Sequence, residues 1–307
     1  MSESVIQFRS VHRKFRKNQV LRGTTFEVEQ GRTFAFLGRN GAGKTTAIRM
    51  MVGLLSRDAG AIRVLGLDPA VDPLSLRQQI GYLAEDQTMY GWMRCEEILS
   101  FMAPFYPTWD HQLALQYAKD FDVPLKTKIK HLSKGQNVRL GLVLALAHRP
   151  ELVILDDPAL GLDPIMRKQF NRDLITHLQG EGRTLFYSSH LLYEVEPVAD
   201  EVAILDRGVI VRQAETEELR RDVKQIVLHR NAAARLNSQA NVLSCRPDGE
   251  ELIVALAGAE QAIGELQREG VAHRVVDLNL DEIFEAYVAS DNGPANPSAS
   301  HEPAVRE

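Results

Sequence analysis

Three short segments of this chain combine residue types that handle phosphate and metal. Gly38-Arg39-Asn40-Gly41-Ala42-Gly43-Lys44-Thr45, followed by Thr46, fits the spacing G-x-x-x-x-G-K-[ST]. Glycines at such a turn let successive backbone N–H groups face inward as a cradle for phosphate oxygens. Lys44 would reach the β- and γ-phosphates, and the Thr45 hydroxyl would hold Mg²⁺. Leu152-Val153-Ile154-Leu155-Asp156-Asp157 is an apolar run ending in two carboxylates. Asp156 is placed to face a metal, and Asp157 to orient or deprotonate a water. In Leu132-Ser133-Lys134-Gly135-Gln136, Ser133 is a plausible N-cap for the apolar helical run that follows, whose free N–H groups make an anion site.

These segments need a scaffold that brings them to one edge. Thr33–Leu37 and Leu152–Asp156 read as buried strands, because their residues are apolar on both faces. Thr184-Leu185-Phe186-Tyr187 reads as another, with Ser188-Ser189-His190 after it. Ala47 to Leu55 and Val138 to Ala147 have helical character. Ligands bind outside the carboxyl ends of strands in such doubly wound sheets, and all three chemical segments follow a strand or open a helix.

With these motifs in this order, the chain resembles the ATP-binding subunits of ABC transporters over about residues 3 to 220. The likeness is greatest to the subgroup serving exporters of drugs, antibiotic peptides or other small molecules, in which the membrane subunits are encoded separately. Phe105-Tyr106-Pro107-Thr108-Trp109-Asp110 and Leu132-Ser133-Lys134-Gly135 carry that likeness. The resemblance implies an α/β P-loop NTPase with a RecA-like parallel core, an antiparallel β subdomain and a helical subdomain at about 92–131. It implies ATP and Mg²⁺ as cofactors, and hydrolysis coupled to transport. Phe15 takes the place of the aromatic that stacks on adenine, or is a core ring of a β-hairpin. Glu85 stands where the family usually has a glutamine touching Mg²⁺ and the lytic water. Gln87, two residues on, is the alternative if the loop is shifted. His190 matches the histidine that holds the γ-phosphate and the water, and Asp163 the loop linking two active sites. Ser133, Gly135 and Gln136 of one subunit would close over the ATP of its partner. The implied partners are a second ATP-binding subunit, identical or sister, and a separate integral-membrane subunit. The place of work is then the inner face of the membrane. The competing reading is a soluble ATP-gated switch or clamp with little hydrolysis.

Several positions depart from the family pattern. Asp157 replaces the usual glutamate and is one methylene shorter. Since misplacement by ~1 Å can cost about 10²-fold in rate, a slow but real ATPase is expected. Lys134 replaces a glycine; its cation points either toward the partner's phosphates or to solvent. Glu85 adds negative charge beside the γ-phosphate, and Leu160 stands for a small polar residue.

Composition agrees with a globular protein of 307 residues, 44% hydrophobic and 25% charged. The net charge of −5 argues against bulk nucleic-acid binding, so no nucleic-acid partner is expected. The local basic run Arg9, Arg13, Lys14, Arg16 and Lys17 reads as a solvated hairpin, or as a contact for triphosphate or lipid headgroups. No run approaches the roughly 18 apolar residues of a membrane span, and no basic-then-apolar leader opens the chain. Cys95 and Cys245 form no ligand pattern. These features point to a cytoplasmic protein. Aromatics between Tyr90 and Tyr117 suit a docking surface or the filling of the helical subdomain. The domains are expected at 1–222 and 223–289, the second a small α+β unit, with 290–307 as a disordered tail. In that unit 224–228, 251–256 and 274–278 read as strands, and 259–269 and 280–289 as helices. Dimerisation, partner contact and regulation stay open for it.

Overall fold

The computed structural model describes residues 4–177, 182–190, 195–235 and 241–289. The chain divides into two units, one up to Ala214 and one from Glu215. The helix Thr216–Asp222 falls in the second, whereas the sequence reading grouped it with the first. The expected tail, 290–307, lies outside the described residues.

In the first unit, β1 (Ser4–Phe15) and β2 (Asn18–Glu29) pair as a hairpin around Arg16-Lys17. With β4 (Ala59–Val64) they form an antiparallel sheet of order β2-β1-β4. Between them runs β3 (Thr33–Leu37), which belongs to a six-stranded sheet. Its other members are β5 (Ile80–Leu83), β6 (Leu152–Asp156), β7 (Thr184–Ser189), β8 (Glu201–Asp206) and β9 (Val209–Glu215). The order is β5-β6-β7-β3-β8-β9, with β5, β6, β7, β3 and β8 parallel. Every residue of β3, β6 and β7 is buried, as their unbroken apolar runs require of strands covered on both faces.

The two sheets meet over an aromatic cluster. Phe26 lies 4.5 Å from Phe8 and 5.9 Å from Phe34, ring centre to ring centre, and Phe186 lies 5.5 Å from Phe34. Such ring pairs add about 0.5–1.5 kcal/mol each beyond the area they bury. The cluster fixes the antiparallel sheet, which carries Phe15 at its hairpin end, onto the parallel core.

Helix α1 (Lys44–Met51) follows β3, and α2 (Pro73–Gln79) precedes β5. The helical segment comprises α3 (Cys95–Met102), α4 (His111–Asp120) and α5 (Lys134–Leu146). Asp110 caps α4 by accepting from the Leu113 N–H at 3.0 Å. Helix α5 stops where Arg149 adopts φ +56° ahead of Pro150. Helix α6 (Pro164–His177) follows β6.

The second unit holds α7 (Thr216–Asp222), β10 (Val223–His229), β11 (Asn241–Asp248), β12 (Glu251–Ala257), α8 (Ala259–Arg268), β13 (His273–Asp277) and α9 (Leu280–Ala289). Its strands form an antiparallel sheet of order β11-β12-β10-β13. Ala259, Ala262 and Leu266 of α8 pack on Ile226, Leu228, Leu252, Val254 and Leu256.

Candidate nucleotide site

Register alone gathers the first set of residues. Strand β7 lies between β6 and β3, so Asp156 stands opposite Ser188, and Leu37 opposite Ser189. The carboxyl ends of all three strands therefore deliver Gly38–Thr45, Asp156-Asp157 and Ser188-Ser189-His190 to one edge. A cavity of about 450 Å³ opens there. It is lined by Arg39, Asn40, Gly41, Gly43, Lys44, Thr45 and Thr46 of the loop, by Glu85 and Asp157, and by Phe15, Asn18 and Val20 of the hairpin. Asn18 and Val20 carried no signal in the sequence; only the folded hairpin brings them to the loop.

The loop needs glycine at Gly43. Its φ is +115°, and a Cβ would sit 2.8 Å from Leu21 Cδ2. Of the loop residues outside the lining, Gly38 and Ala42, Ala42 is buried and donates its N–H to Arg39 O at 3.1 Å. Lys44 opens α1 and is 5% exposed. Its ammonium donates to Gly38 O at 2.8 Å and stands 3.5 Å from Asp157 Oδ2. The cation thus curls over the Gly-rich turn at the N-terminus of a helix, where backbone dipoles also favour an anion.

Asp156 is buried beneath the cavity. Its Oδ1 accepts from Ser188 Oγ at 3.0 Å and from Thr45 Oγ1 at 3.3 Å, while Oδ2 is buried with no hydrogen-bond partner. Burial pushes its carboxyl up to about 6; Asp157 and Glu85 add to this, and the Ser188 and Thr45 hydrogen bonds oppose it. An unpartnered buried carboxylate oxygen beside a threonine hydroxyl, with two more carboxylates nearby, lacks positive charge. Magnesium fits this donor set, since it takes few protein oxygens and shares the rest with phosphate and water. Thr45, Asp156 and Glu85 are the side chains that would hold it.

Asp157 has φ +43°. Its N–H is shared between Ser188 O at 3.2 Å and Ser188 Oγ at 3.0 Å. Oδ1 contacts His190 Nδ1 at 2.8 Å and accepts from the His190 N–H at 3.3 Å. A carboxylate is met by a ring nitrogen that donates, so Nδ1 carries the proton, and Nε2 of a neutral ring is then an acceptor. Lys44, Asp157 and His190 form one connected chain of groups.

The structure separates Glu85 from Gln87. Glu85 lines the phosphate cavity, while Gln87 lines a second cavity of about 360 Å³ with Tyr82, Met102, Tyr106 and Leu144. The Gln87 side chain packs on Gly141 of α5.

Ser133, Gly135, Gln136 and Asp163 do not line the phosphate cavity. Ser133 and Gln136 form a reciprocal cap on α5: Gln136 N–H donates to Ser133 Oγ at 3.2 Å, and Ser133 N–H to Gln136 Oε1 at 3.0 Å. Gly135 is buried under Met166 and Leu162, and the Lys134 side chain lies across Gly161 of its own subunit. Asp163 caps α6, its Oδ1 accepting from the Ile165 and Met166 N–H groups at 2.9 Å each. The aromatics also divide. Tyr90, Trp92, Phe101 and Phe105 are exposed and touch one another, whereas Tyr106 stacks on buried His148 at 4.1 Å. Of the basic run, Arg13 pairs with Asp58 at 2.7 Å and Arg9 with Glu27 at 3.5 Å.

Known proteins resemble this chain in sequence and fold. The ABC transporter family model matches residues 21–160. An uncharacterized ABC transporter ATP-binding protein of Methanocaldococcus jannaschii is 31% identical over 286 residues, which is 90% of this chain and 98% of the relative. The linearmycin resistance ATP-binding protein of Bacillus subtilis is 30% identical, over 67% of this chain and 68% of its own length. The chain covers only 61% and 56% of the relatives from Nostoc and Synechocystis. A solved ATP-binding subunit of an ABC transporter superposes with a TM-score of 0.65 at 28% identity, over 71% of this chain and 92% of that one. The chain belongs to the ATP-binding subunits of ABC transporters, a class of nucleotide-binding ATPases. Among the described residues no helix is long and apolar enough to cross a membrane.

Proposed function

We propose that this chain binds ATP and Mg²⁺ in the cavity at the ends of β3, β6 and β7, and that its hydrolysis drives export of a small molecule, drug or peptide. The export pathway is a separate membrane subunit, and the chain works at the cytoplasmic face. The observation that carries this reading is the linked set Lys44, Asp157 and His190 above the orphaned Asp156 oxygen, at the mouth of a phosphate-binding turn. The relative named for linearmycin resistance supports a drug-like cargo.

In this reading the loop N–H groups and Lys44 bind the β- and γ-phosphates, and Phe15 stacks on the base. Thr45, Asp156 and Glu85 would hold magnesium, which would supply positive charge against the phosphates. Asp157 takes the proton of the attacking water, and His190, fixed through Nδ1, offers Nε2 as an acceptor that orients that water. Ser133, Gly135 and Gln136, which stand apart from the cavity, serve the ATP of a second subunit, and Asp163 links the two sites. Each site is then complete only when two subunits close, so binding and hydrolysis become motion.

A weakly hydrolysing switch is the second reading. It is favoured by the short Asp157 carboxylate, engaged at once by Lys44 and His190. Purification from detergent-solubilised membranes with Mg-ATP separates the two. The exporter reading predicts stoichiometric recovery of a multi-span membrane protein, with ATP turnover lost in Lys44→Ala. A membrane complex without turnover supports the switch, and recovery as a soluble dimer alone contradicts the exporter.

A further inference from the structure

The base end of the cavity is built on a hairpin tip, the kind of element that moves most easily in a fold. Phe15 is the last residue of β1 and is 42% exposed. The next residue, Arg16, has φ +53°, an uncommon conformation for a residue with a side chain. Left to itself, such a ring would sample many orientations, and each nucleotide bound would carry the cost of ordering it.

The structure shows what orders it. The Arg13 guanidinium lies over the Phe15 ring, 4.7 Å from its centre. The two side chains meet at the end of β1 although its register is irregular between Arg13 and Lys14. Arg13 is not among the residues that line the cavity, whereas Phe15 is. The guanidinium covers one face of the ring, and the ring also lines the cavity. Arg13 is in turn held by Asp58, just before β4, whose Oδ1 accepts from Arg13 Nη1 at 2.7 Å. The second oxygen of the same carboxylate accepts from the Lys14 N–H at 2.7 Å, on the backbone immediately before Phe15. Asp58 is itself anchored by its own N–H, which donates to His12 O at 2.9 Å. One carboxylate thus clamps both the backbone and the side chain that flank the ring. The Lys14 N–H, and then the Arg13 guanidinium, hold the Asp58 carboxyl below the usual carboxylate range, so the clamp stays charged at neutral pH.

We propose that Asp58 and Arg13 are positioning residues for the nucleobase: they fix Phe15 with one face backed by a guanidinium and the other offered to adenine. This rests on the reading of Phe15 as the base platform and extends it to residues that touch no part of the nucleotide. It also gives Arg13 a role other than the phosphate or headgroup contact its charge suggests, because that charge is already committed to Asp58.

The test separates base from phosphate by titrating the full chain calorimetrically with ADP and, separately, with inorganic pyrophosphate, neither of which is turned over. Base–aromatic stacking is worth ~1–3 kcal/mol, so Phe15→Ala is expected to weaken ADP about tenfold or more. Asp58→Asn and Arg13→Met are each expected to weaken ADP by about threefold to tenfold. Pyrophosphate affinity is expected to stay at the native value in all three. Arg13→Lys, which keeps a cation over the ring, retains more ADP affinity than Arg13→Met. In the Phe15→Ala background, Asp58→Asn adds no further loss, since its effect runs through the ring. Native ADP affinity in Asp58→Asn and Arg13→Met, with a loss in Phe15→Ala, overturns the positioning role and leaves the base platform standing. Native ADP affinity in Phe15→Ala overturns the platform and the positioning role together. Equal losses for ADP and pyrophosphate mark a general disturbance of the hairpin and also overturn the proposal.

Discussion

The two ends of the proposed nucleotide cavity are built on opposite principles. At the phosphate end Lys44 and Asp157 are 5% and 7% exposed, fixed by parallel strands that are buried throughout. At the base end Phe15 is 42% exposed, at a hairpin tip whose side chain and backbone are clamped by the Asp58 carboxylate through Arg13 and the Lys14 N–H. Chemistry needs the first design, because charges act most strongly where water is excluded and their geometry cannot relax. Capture needs only the second, since stacking tolerates small shifts and depends on area. The phosphate end should therefore govern the rate of hydrolysis, and the base end the concentration at which the site fills.

Substitutions at the two ends should differ accordingly. Lys44→Ala removes the buried cation and leaves Asp157 without it; steady-state ATP turnover is expected to fall about 10³-fold. Only a tenfold loss would mean that the loop backbone alone carries the phosphate charge. Asp157→Asn keeps the shape but not the base, and a loss of about 10²-fold in turnover is expected. Native turnover in that variant would assign the proton to another group. At the base end Phe15→Trp offers a larger ring and should lower the KM for ATP by about threefold, the smallest of these effects. A raised KM would show that the ring is confined rather than presented.

Burial has a pH signature as well, and His148 is the group that displays it. It is 1% exposed, stacked on Tyr106, and its Nε2 meets Ile80 O at 3.1 Å at the start of β5. Burial, with Arg183 adding, pushes its pKa down to about 4, while the Ile80 carbonyl opposes the shift. Between about pH 4 and 6.5 the unfolded chain binds this proton and the folded chain does not, so stability falls as pH is lowered through that window. The loss amounts to up to about 3 kcal/mol at the acid end, and above pH 6.5 the group contributes no slope. Denaturant midpoints measured from pH 7 to pH 4 should fall less steeply in His148→Gln than in the native chain. Parallel slopes would show that the proton is bound in the fold too.

The scaffold of the proposed phosphate end was legible in the sequence because it is written in contiguous runs. A buried strand followed by a glycine-rich turn, or by two aspartates, leaves few alternatives, and the strands at Thr33–Leu37 and Leu152–Asp156 lie where the apolar runs put them. The choice between Glu85 and Gln87 was not legible, because it turns on a loop conformation that packs Gln87 against Gly141. Asn18, Val20 and Asp58 were also silent as site residues, and Arg13 read only as a solvated cation or a phosphate or headgroup contact, since their places around the cavity exist only after two sheets pack. Strand β11 escaped notice because Ser244, Cys245 and Pro247 break the alternation that marks a strand. Helix α7, with Glu217 and Glu218 at its start and Arg220 and Arg221 at its end, is a self-consistent helix whose sequence says nothing of its neighbours.

The phosphate cavity also lacks the residues expected to cover the γ-phosphate: Ser133, Gly135 and Gln136 sit at the start of α5 and do not line it. The central claim is that a second subunit supplies them. Sedimentation velocity of Asp157→Asn with and without Mg-ATP tests this most directly, because slowed hydrolysis traps whatever ATP assembles. The account predicts a monomer without nucleotide and a dimer with Mg-ATP, reverting to monomer when Ser133→Arg is added. A monomer at saturating Mg-ATP, or a dimer indifferent to both nucleotide and Ser133→Arg, would contradict it.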